Sequence, residues 1–166
     1  MRLELKKFFS GEPEAEQIDY AVDLSGVELD GEFPFPEPVR VTGTVSTTAA
    51  GVLLEVTARY TVFMPCARCL TEVRREEEET FRHTLVREGD TESELSEDCI
   101  PVTGDALDLD ELIYTDILLI MPAKMLCRED CKGLCPDCGK NLNEGPCGCK
   151  TDAVDPRLEA LRALLN

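Results

Sequence analysis

The chain has 166 residues, 43% of them hydrophobic, and its 34 acidic and 17 basic residues give a formal net charge of -17 with the one histidine neutral. It is long enough for one ordinary domain, with or without a small appendage, and apolar enough to bury a core. The excess negative charge disfavours broad, salt-driven binding to nucleic-acid phosphates. No segment has the roughly 18 apolar residues of a membrane span, and no apolar run follows the first basic residues as in a secretory leader, so we expect a cytoplasmic protein.

Apolar and polar residues alternate along much of the first part of the chain, which is typical of β-strands with one buried face. The segments with this pattern are 3–5, 18–24, 39–45, 52–64 and 73–86. Segment 52–64 has the longest alternation and predicts the most secure strand. The run Phe33–Pro38 contains three prolines, each without an amide donor, and therefore predicts an extended connector.

The charged residues of this β-rich part have no predicted catalytic role. Glu76–Glu79 are expected to form a solvated or edge part of a strand, and Arg87–Asp98 a mobile acidic loop. His83 lies in phase with the apolar residues of its segment, so we expect a partly buried structural histidine. Cys99 is expected to be a small core residue.

A capping box predicts the start of a helix at Asp108, whose carboxylate accepts the first free amides while Glu111 reaches back. Apolar residues then follow at helical spacing up to Met121, and Pro122 ends the helix. We expect its apolar face to pack on the sheet. The members of that face are Leu109, Leu112, Ile113, Ile117, Ile120 and Met121. Asp110, Glu111 and Asp116 are expected to face solvent rather than to act as an acid and a base.

Cysteines are concentrated in the stretch Cys127–Cys149, which holds six of the nine. Without a leader, a reducing cytosol favours metal ligands over disulfides. The turn from Cys135 to Gly139 is typical of a zinc knuckle, because its proline fixes the entry and its glycine accepts the tight backbone that follows the second thiolate. Two more sulfurs would close a tetrahedron with no position left for water or substrate, so the predicted zinc is structural. The preferred ligands are Cys135, Cys138, Cys147 and Cys149.

The partition of the remaining clustered cysteines stays open. Cys127 and Cys131 either join Cys66 and Cys69 in a second site, replace the last two knuckle ligands, or stay reduced. One or two zinc ions are therefore predicted. Four thiolates also suit an iron-sulfur cluster, but the knuckle sequence favours zinc.

Arg68 is the predicted partner contact. It lies between Cys66 and Cys69, at the tip of a hairpin formed by the two longest predicted strands. Its guanidinium could offer bidentate hydrogen bonds to a phosphate or a carboxylate. The alternatives are a donor that supports a neighbouring thiolate and an ordinary surface arginine.

The predicted elements together indicate an α+β fold. We expect a mainly antiparallel sheet with one central helix, a small C-terminal zinc-binding module and a short terminal helix. That last helix is predicted to open at Asp155, with Pro156 at its first position and leucines along one side for docking. Two parts are expected, a β-rich core over 1–122 and the cysteine-rich module with the docking helix over 123–166.

Four features together resemble the YceD family, the large ribosomal RNA subunit accumulation proteins of bacteria and plastids. They are Cys66–Leu70 at a hairpin, the helix end Leu119–Pro122, the cysteine cluster with the segment Gly133–Asn143, and the segment Asp155–Leu161. The resemblance covers the chain from about Val39 onward. It implies a non-enzymatic factor that supports accumulation or processing of large-subunit ribosomal RNA during ribosome assembly. Some family members keep the Cys-x-Arg-Cys pair without the C-terminal cluster, which implies that the shared function lies at the hairpin and the sheet beneath it.

The partners implied are ribosomal precursor components, either large-subunit ribosomal RNA or a basic ribosomal protein, with no membrane and no small-molecule substrate. Two other classes of function compete with this one. A thiol redox or zinc-dependent enzyme would use the Cys66-x-x-Cys69 pair as an open or reactive site. An acidic adaptor would bind a basic ribosomal protein through its charge alone.

Overall fold

The computed structural model describes residues 1–10, 12–89 and 99–149. Within these ranges the chain is rich in strand and contains a single α-helix, as in the predicted α+β class. The elements in chain order are β1 (Arg2–Glu4), a 3-10 helix (Phe8–Ser10), β2 (Ala15–Val22), β3 (Val39–Thr48), β4 (Gly51–Pro65), β5 (Glu72–Arg87), β6 (Cys99–Val102), β7 (Ala106–Asp108) and α1 (Leu109–Ile120). None of the described helical residues forms a helix long and apolar enough to cross a membrane.

The chain divides into two compact units. The first consists of Met1–Met64 and Glu72–Ala123, and the second of Pro65–Thr71 and Lys124–Asn166. The sequence predicts a single division between 122 and 123, whereas in the structure the connection between β4 and β5 groups with the second unit. The predicted helix at Asp155 and residues 90–98 of the predicted acidic loop lie outside the described residues.

The first unit is organised around a sheet with the strand order β2-β3-β4-β5-β6, and β1 pairs with β7 in a second, smaller sheet. β2 and β4 both run antiparallel to β3, so the prediction of a mainly antiparallel sheet is confirmed there. β6 instead runs parallel to the end of β5, with Thr84 opposite Cys99 and Arg87 opposite Val102. This edge was not predicted, because four residues without alternation carry no signal of their direction.

The longest predicted alternation forms the centre of the core. Alternate side chains of β4 from Val52 to Val62 are buried, as expected for a strand with one face inward. Phe35, from the proline-rich connector, is also fully buried, and its ring meets that of Tyr60 edge to face at 5.9 Å. The connector was predicted only as extended chain, and its contribution to the core follows from tertiary packing.

Asp108 caps α1 as predicted, and its carboxylate accepts hydrogen bonds from the amides of Asp110 and Glu111. A cap of this kind stabilises a helix by about 1 kcal/mol. The apolar face is confirmed at Leu109, Ile113 and Ile117, which are fully buried. Ile120 was wrongly assigned to that face, because it is 45% exposed at the last position of the helix.

Asp116 does not face solvent, contrary to the prediction. It is 7% exposed, and its Oδ2 lies 2.7 Å from Nε2 of His83 on β5. His83 is partly buried, as predicted, and it supplies the hydrogen bond without which a buried carboxylate is costly. Helical spacing alone could not reveal this pair, because its partner is 33 residues away along the chain.

We expect His83→Phe to destabilise the first unit by about 1–3 kcal/mol, since a planar aromatic ring is kept but the Asp116 carboxylate loses its partner. Thermal or denaturant unfolding would measure the change. Asp116→Asn, which keeps an acceptor oxygen for His83, should cost less. An equal loss in both variants would contradict the assignment of the hydrogen bond as the stabilising contact.

The acidic run of β5 is solvated, as predicted. Glu76, Glu78 and Glu79 are exposed, and Glu78 pairs with Arg59 on the neighbouring β4. β6 pairs only with Thr84–Arg87 of β5, so among the described residues this run has no strand on that side. Charges there discourage pairing with another strand.

Candidate metal centres

Four cysteines from two distant parts of the chain converge in the second unit, and we call them the hairpin tetrad: Cys66, Cys69, Cys127 and Cys131. Their sulfur atoms all lie within 4.8 Å of one another. The Sγ atoms of Cys66 and Cys131 are 3.8 Å apart, and those of Cys69 and Cys127 are 3.5 Å apart. A tetrahedral zinc with bonds of about 2.3 Å requires edges of about 3.8 Å, so the tetrad fits one such ion.

The C-terminal tetrad consists of Cys135, Cys138, Cys147 and Cys149, and its sulfur atoms meet the same 4.8 Å limit. These are the four preferred ligands of the sequence analysis. Of the three arrangements open for the remaining cysteines, the structure brings Cys127 and Cys131 together with Cys66 and Cys69. The described part of the chain therefore contains two groups of cysteines, each able to hold one metal ion.

Both tetrads begin with the same backbone turn. In the C-terminal tetrad, the amide of Gly139 donates to the carbonyl of Cys135 at 2.9 Å, and Gly139 has φ of 72°. In the hairpin tetrad, the amide of Leu70 donates to the carbonyl of Cys66 at 2.9 Å, with φ of 58° at Leu70. A leucine at positive φ is strained, so the surrounding contacts must hold it there.

The sequence offered Cys66 and Cys69 only as one of three possibilities for a second site, because leucine stands where glycine is typical of a knuckle. A Cys-x-x-Cys pair between two long strands was its only signal. The loop is fixed to the chain after α1 by a hydrogen bond from the amide of Ala67 to the carbonyl of Met125, at 2.8 Å. This contact brings the second pair of cysteines to the first.

Backbone amides stabilise one thiolate in each tetrad. Burial alone would raise the pKa of Cys66, but hydrogen bonds from the amides of Cys127, Arg68 and Cys69 lower that pKa to about 6. The amides of Cys138 and Asp137 likewise lower the pKa of Cys135 to about 7. These amides therefore prepare one sulfur of each tetrad as an anion, the form that binds a metal.

One other member of each tetrad shows the opposite shift in pKa. Burial and the neighbouring sulfurs raise the pKa of Cys127 to about 12. Contact with Cys138, followed by burial, raises the pKa of Cys149 to about 12. Four thiols this close cannot all ionise alone, because their charges repel. A divalent cation would remove that obstacle, so the chemistry of the donor set fits a metal.

Arg68 is exposed, but its guanidinium is partly engaged within the second unit. Its Nη1 donates to the carbonyl of Cys131 at 2.9 Å and to that of Glu129 at 3.3 Å. These bonds tie the Cys66–Cys69 turn to the Cys127–Cys131 loop. The predicted partner contact remains a prediction.

All nine cysteines lie among the described residues, and none of them forms a disulfide. Cys99, on β6, belongs to neither tetrad and is partly buried rather than a fully buried core residue. It offers a matched control for substitutions of the clustered cysteines.

Comparison with known proteins identifies a matching family and several relatives of this chain. A family model described as large ribosomal RNA subunit accumulation protein YceD matches residues 54–165. An uncharacterized protein of Mycobacterium tuberculosis is 32% identical over 124 residues, which cover 74% of this chain and 59% of that protein. The uncharacterized protein YlbN of Bacillus subtilis is 30% identical over 158 residues, covering 90% of this chain and 88% of YlbN. The chain thus spans less than two thirds of the mycobacterial relatives, and no solved structure shows a significant match.

Proposed function

This chain belongs to the YceD family of large ribosomal RNA subunit accumulation proteins, and from that premise we propose that it is a ribosome-assembly factor without enzymatic activity. It supports the accumulation or processing of large-subunit ribosomal RNA in the cytoplasm. The family match over residues 54–165 is the observation that carries the proposal, because it includes most of the sheet, α1 and both tetrads.

The proposed metal is zinc, with one structural ion in each tetrad. Four thiolates per ion, two of them on a knuckle turn, are the donor set typical of structural zinc. When bound, zinc supplies folding free energy to a segment with few apolar residues. Cys66, Cys69, Cys127 and Cys131 would hold one ion, and the C-terminal tetrad the other.

The burial of Cys66 and Cys69, the pair that a thiol enzyme would use, supports a non-enzymatic role. Cys66 is fully buried and Cys69 is 5% exposed, whereas a redox cysteine must be reached by its substrate. A site closed by four protein ligands also leaves no coordination position for a reactant. Both points favour a scaffold over the alternative of a thiol or zinc-dependent enzyme.

The net charge of -17 favours a basic protein as the direct partner. Ribosomal RNA carries one negative charge per nucleotide, so an acidic surface would repel it except at local basic sites. A basic ribosomal protein would be attracted, in a manner that weakens as salt is added. We therefore include the adaptor alternative in the proposal: the acidic surface binds a basic ribosomal protein.

Depletion of the protein from its own organism is expected to lower large-subunit ribosomal RNA relative to small-subunit ribosomal RNA. The physical reason is that unassembled precursor RNA is degraded when a factor that protects or completes the particle is missing. Quantitative hybridisation to both RNAs, together with gradient sedimentation of ribosomal particles, would measure the effect. The intact protein should also sediment with precursor particles at low salt and dissociate at high salt.

Complementation with variants distinguishes a cysteine of the hairpin tetrad from a cysteine outside both tetrads. Cys66→Ser should fail to restore large-subunit RNA, while Cys99→Ser, which changes a cysteine outside both tetrads, should restore it. Unchanged RNA levels after depletion, with no protein found on precursor particles, would remove the support for an assembly role.

A further inference from the structure

Asn143 connects the two tetrads. Its position in the chain lies between two ligands of the C-terminal tetrad, Cys138 and Cys147, yet its side chain reaches the hairpin tetrad. The Nδ2 atom donates to Sγ of Cys131 at 3.3 Å, and the Oδ1 atom accepts from the amide of Lys132 at 2.8 Å. One partly buried amide group therefore contacts both a ligand sulfur and the backbone next to it.

The position of Asn143 is fixed by its own loop. Its amide nitrogen and its Nδ2 both donate to Oδ1 of Asn141, at 3.0 Å and 2.8 Å. The amide of Glu144 donates to the carbonyl of Asn141 at 3.2 Å, which closes the turn. The direction of the Asn143 side chain thus depends on the conformation of the loop between the two pairs of C-terminal ligands.

The backbone supports the same connection. Only residues 132–134 separate the last hairpin ligand from the first C-terminal ligand. The amide of Leu142 donates to the carbonyl of Gly133 at 2.9 Å, and the amide of Leu134 donates to the carbonyl of Arg68 at 3.2 Å. Gly133 has φ of 76°, and a Cβ placed on it would lie 3.0 Å from the Arg68 carbonyl oxygen. This short linker therefore has little freedom to move either site independently.

We propose that Asn143 couples the two metal sites, so that zinc in the C-terminal tetrad orders the 139–146 loop and thereby raises the affinity of the hairpin tetrad for zinc. This inference rests on the metal sites of the proposed function and is independent of the role in ribosome assembly. A tetrathiolate zinc site carries excess negative charge, and an N–H aimed at one of its sulfurs stabilises it. Because coupling free energy is reciprocal, zinc in the hairpin tetrad must raise the affinity of the C-terminal tetrad equally.

The coupling can be measured with zinc and cobalt titrations of the reduced, metal-free full chain. Cobalt bound to thiolates absorbs strongly, and a chelator of known affinity converts competition into a dissociation constant. The hairpin affinity is determined once with the C-terminal tetrad intact and once in the Cys147→Ser/Cys149→Ser background. We expect the intact tetrad to strengthen hairpin binding by about 5–150-fold, the usual range for coupled sites.

Two Asn143 variants test the residue itself. Asn143→Leu removes both polar contacts, and Asn143→Asp keeps the acceptor for Lys132 but sets a carboxylate against the Cys131 sulfur. Each should weaken hairpin binding by about 10–100-fold, as is common for groups that support a metal ligand, and leave the intrinsic affinity of the C-terminal tetrad near wild type. Glu144→Gln, on the same turn with an exposed side chain, is the matched control and should change neither affinity.

Each other outcome overturns the inference. Equal hairpin affinity with and without the C-terminal tetrad would show that the sites are independent. Coupling that persists in Asn143→Leu would show that the backbone contacts, and not the Asn143 side chain, couple the two sites. Loss of metal from both tetrads in both variants would make Asn143 a general folding residue. A wild-type chain that binds no metal at the hairpin tetrad would also contradict the proposed metal site there. The assembly role would still be tested separately by the depletion experiment.

Discussion

Removal of zinc is expected to unfold the described part of the second unit and to leave the sheet of the first unit in place. Within the described residues, the buried apolar side chains of the second unit are Met125 and four cysteines, Cys66, Cys69, Cys131 and Cys135. A segment with so small a core cannot offset the entropy of ordering its backbone. Structural zinc in cysteine-rich modules contributes about 10–16 kcal/mol of binding free energy, which makes this the largest effect we expect.

Elemental analysis and hydrogen exchange would test this expectation. The wild-type chain should hold two zinc ions, Cys131→Ser one, and Cys99→Ser two, because Cys99 belongs to neither tetrad. After chelation, amides of 65–71 and 124–149 should exchange rapidly, while those of β3 and β4 should stay protected. Slow exchange over 124–149 in protein shown to be free of metal would contradict the role assigned to zinc.

Acidification should also release zinc and unfold the described part of the second unit, because protons compete with zinc for thiolates. The amide-stabilised pKa values of about 6 for Cys66 and about 7 for Cys135 keep one sulfur of each tetrad ionised near neutral pH. Each of these two thiolates contributes to zinc affinity at pH values above its pKa. That contribution is lost as the pH falls through the pKa. The apparent zinc affinity should therefore decrease as the pH falls, in parallel with the loss of protection over 124–149.

Gly43→Ala is expected to destabilise the first unit by about 3 kcal/mol or more, at or beyond the upper end of overpacking changes. Gly43 pairs with Val56 in the β3–β4 ladder, between the buried Val41 and Val45. A Cβ on Gly43 would lie 2.1 Å from the carbonyl oxygen of Glu55 and 2.7 Å from Cα of Val56. Both atoms belong to the backbone, so the two strands would have to separate.

The matched control is Gly26→Ala, where an added Cβ meets nothing within 4 Å. Denaturant unfolding of both variants would compare their free energies, and zinc content should stay at two ions in each because neither glycine lies near a ligand in the sequence. Similar stability of the two variants would show that the close approach of the strands at Gly43 is not maintained in solution.

Local patterns predicted those parts of the fold that depend on neighbours along the chain. The alternation in β4 and the cap at Asp108 are of this kind, because pleating and capping are set within a few residues. The burial of Phe35 and Asp116 depends instead on partners far away in sequence, and both were missed. The prediction that Ile120 lies on the buried face of α1 was wrong for a related reason. Helical spacing does not show where the surface that the helix packs against ends.

The two candidate metal centres differ in the same way, because one is local in sequence and the other is not. The C-terminal tetrad is local, with a proline and a glycine in its knuckle, and its four residues could be named from the sequence. The hairpin tetrad joins residues on either side of the segment Glu72–Ala123 of the first unit, and its knuckle has Leu70 at the position of positive φ. No spacing rule could decide between the three fates of Cys127 and Cys131, because the answer depends on how the hydrogen bond of Ala67 to Met125 places the two loops.

The distance along the chain between the two halves of the hairpin tetrad has a consequence for the unfolded protein. Cys69 and Cys127 are 58 positions apart, and Cys66 and Cys131 are 65 apart. An ion bound by all four would act as a cross-link that closes a loop holding β5, β6, β7 and α1. By the chain-entropy relation used for disulfides, closing a loop of this length disfavours the unfolded state by about 4 kcal/mol. A metal cross-link retains that advantage in a reducing environment, where a disulfide would be lost.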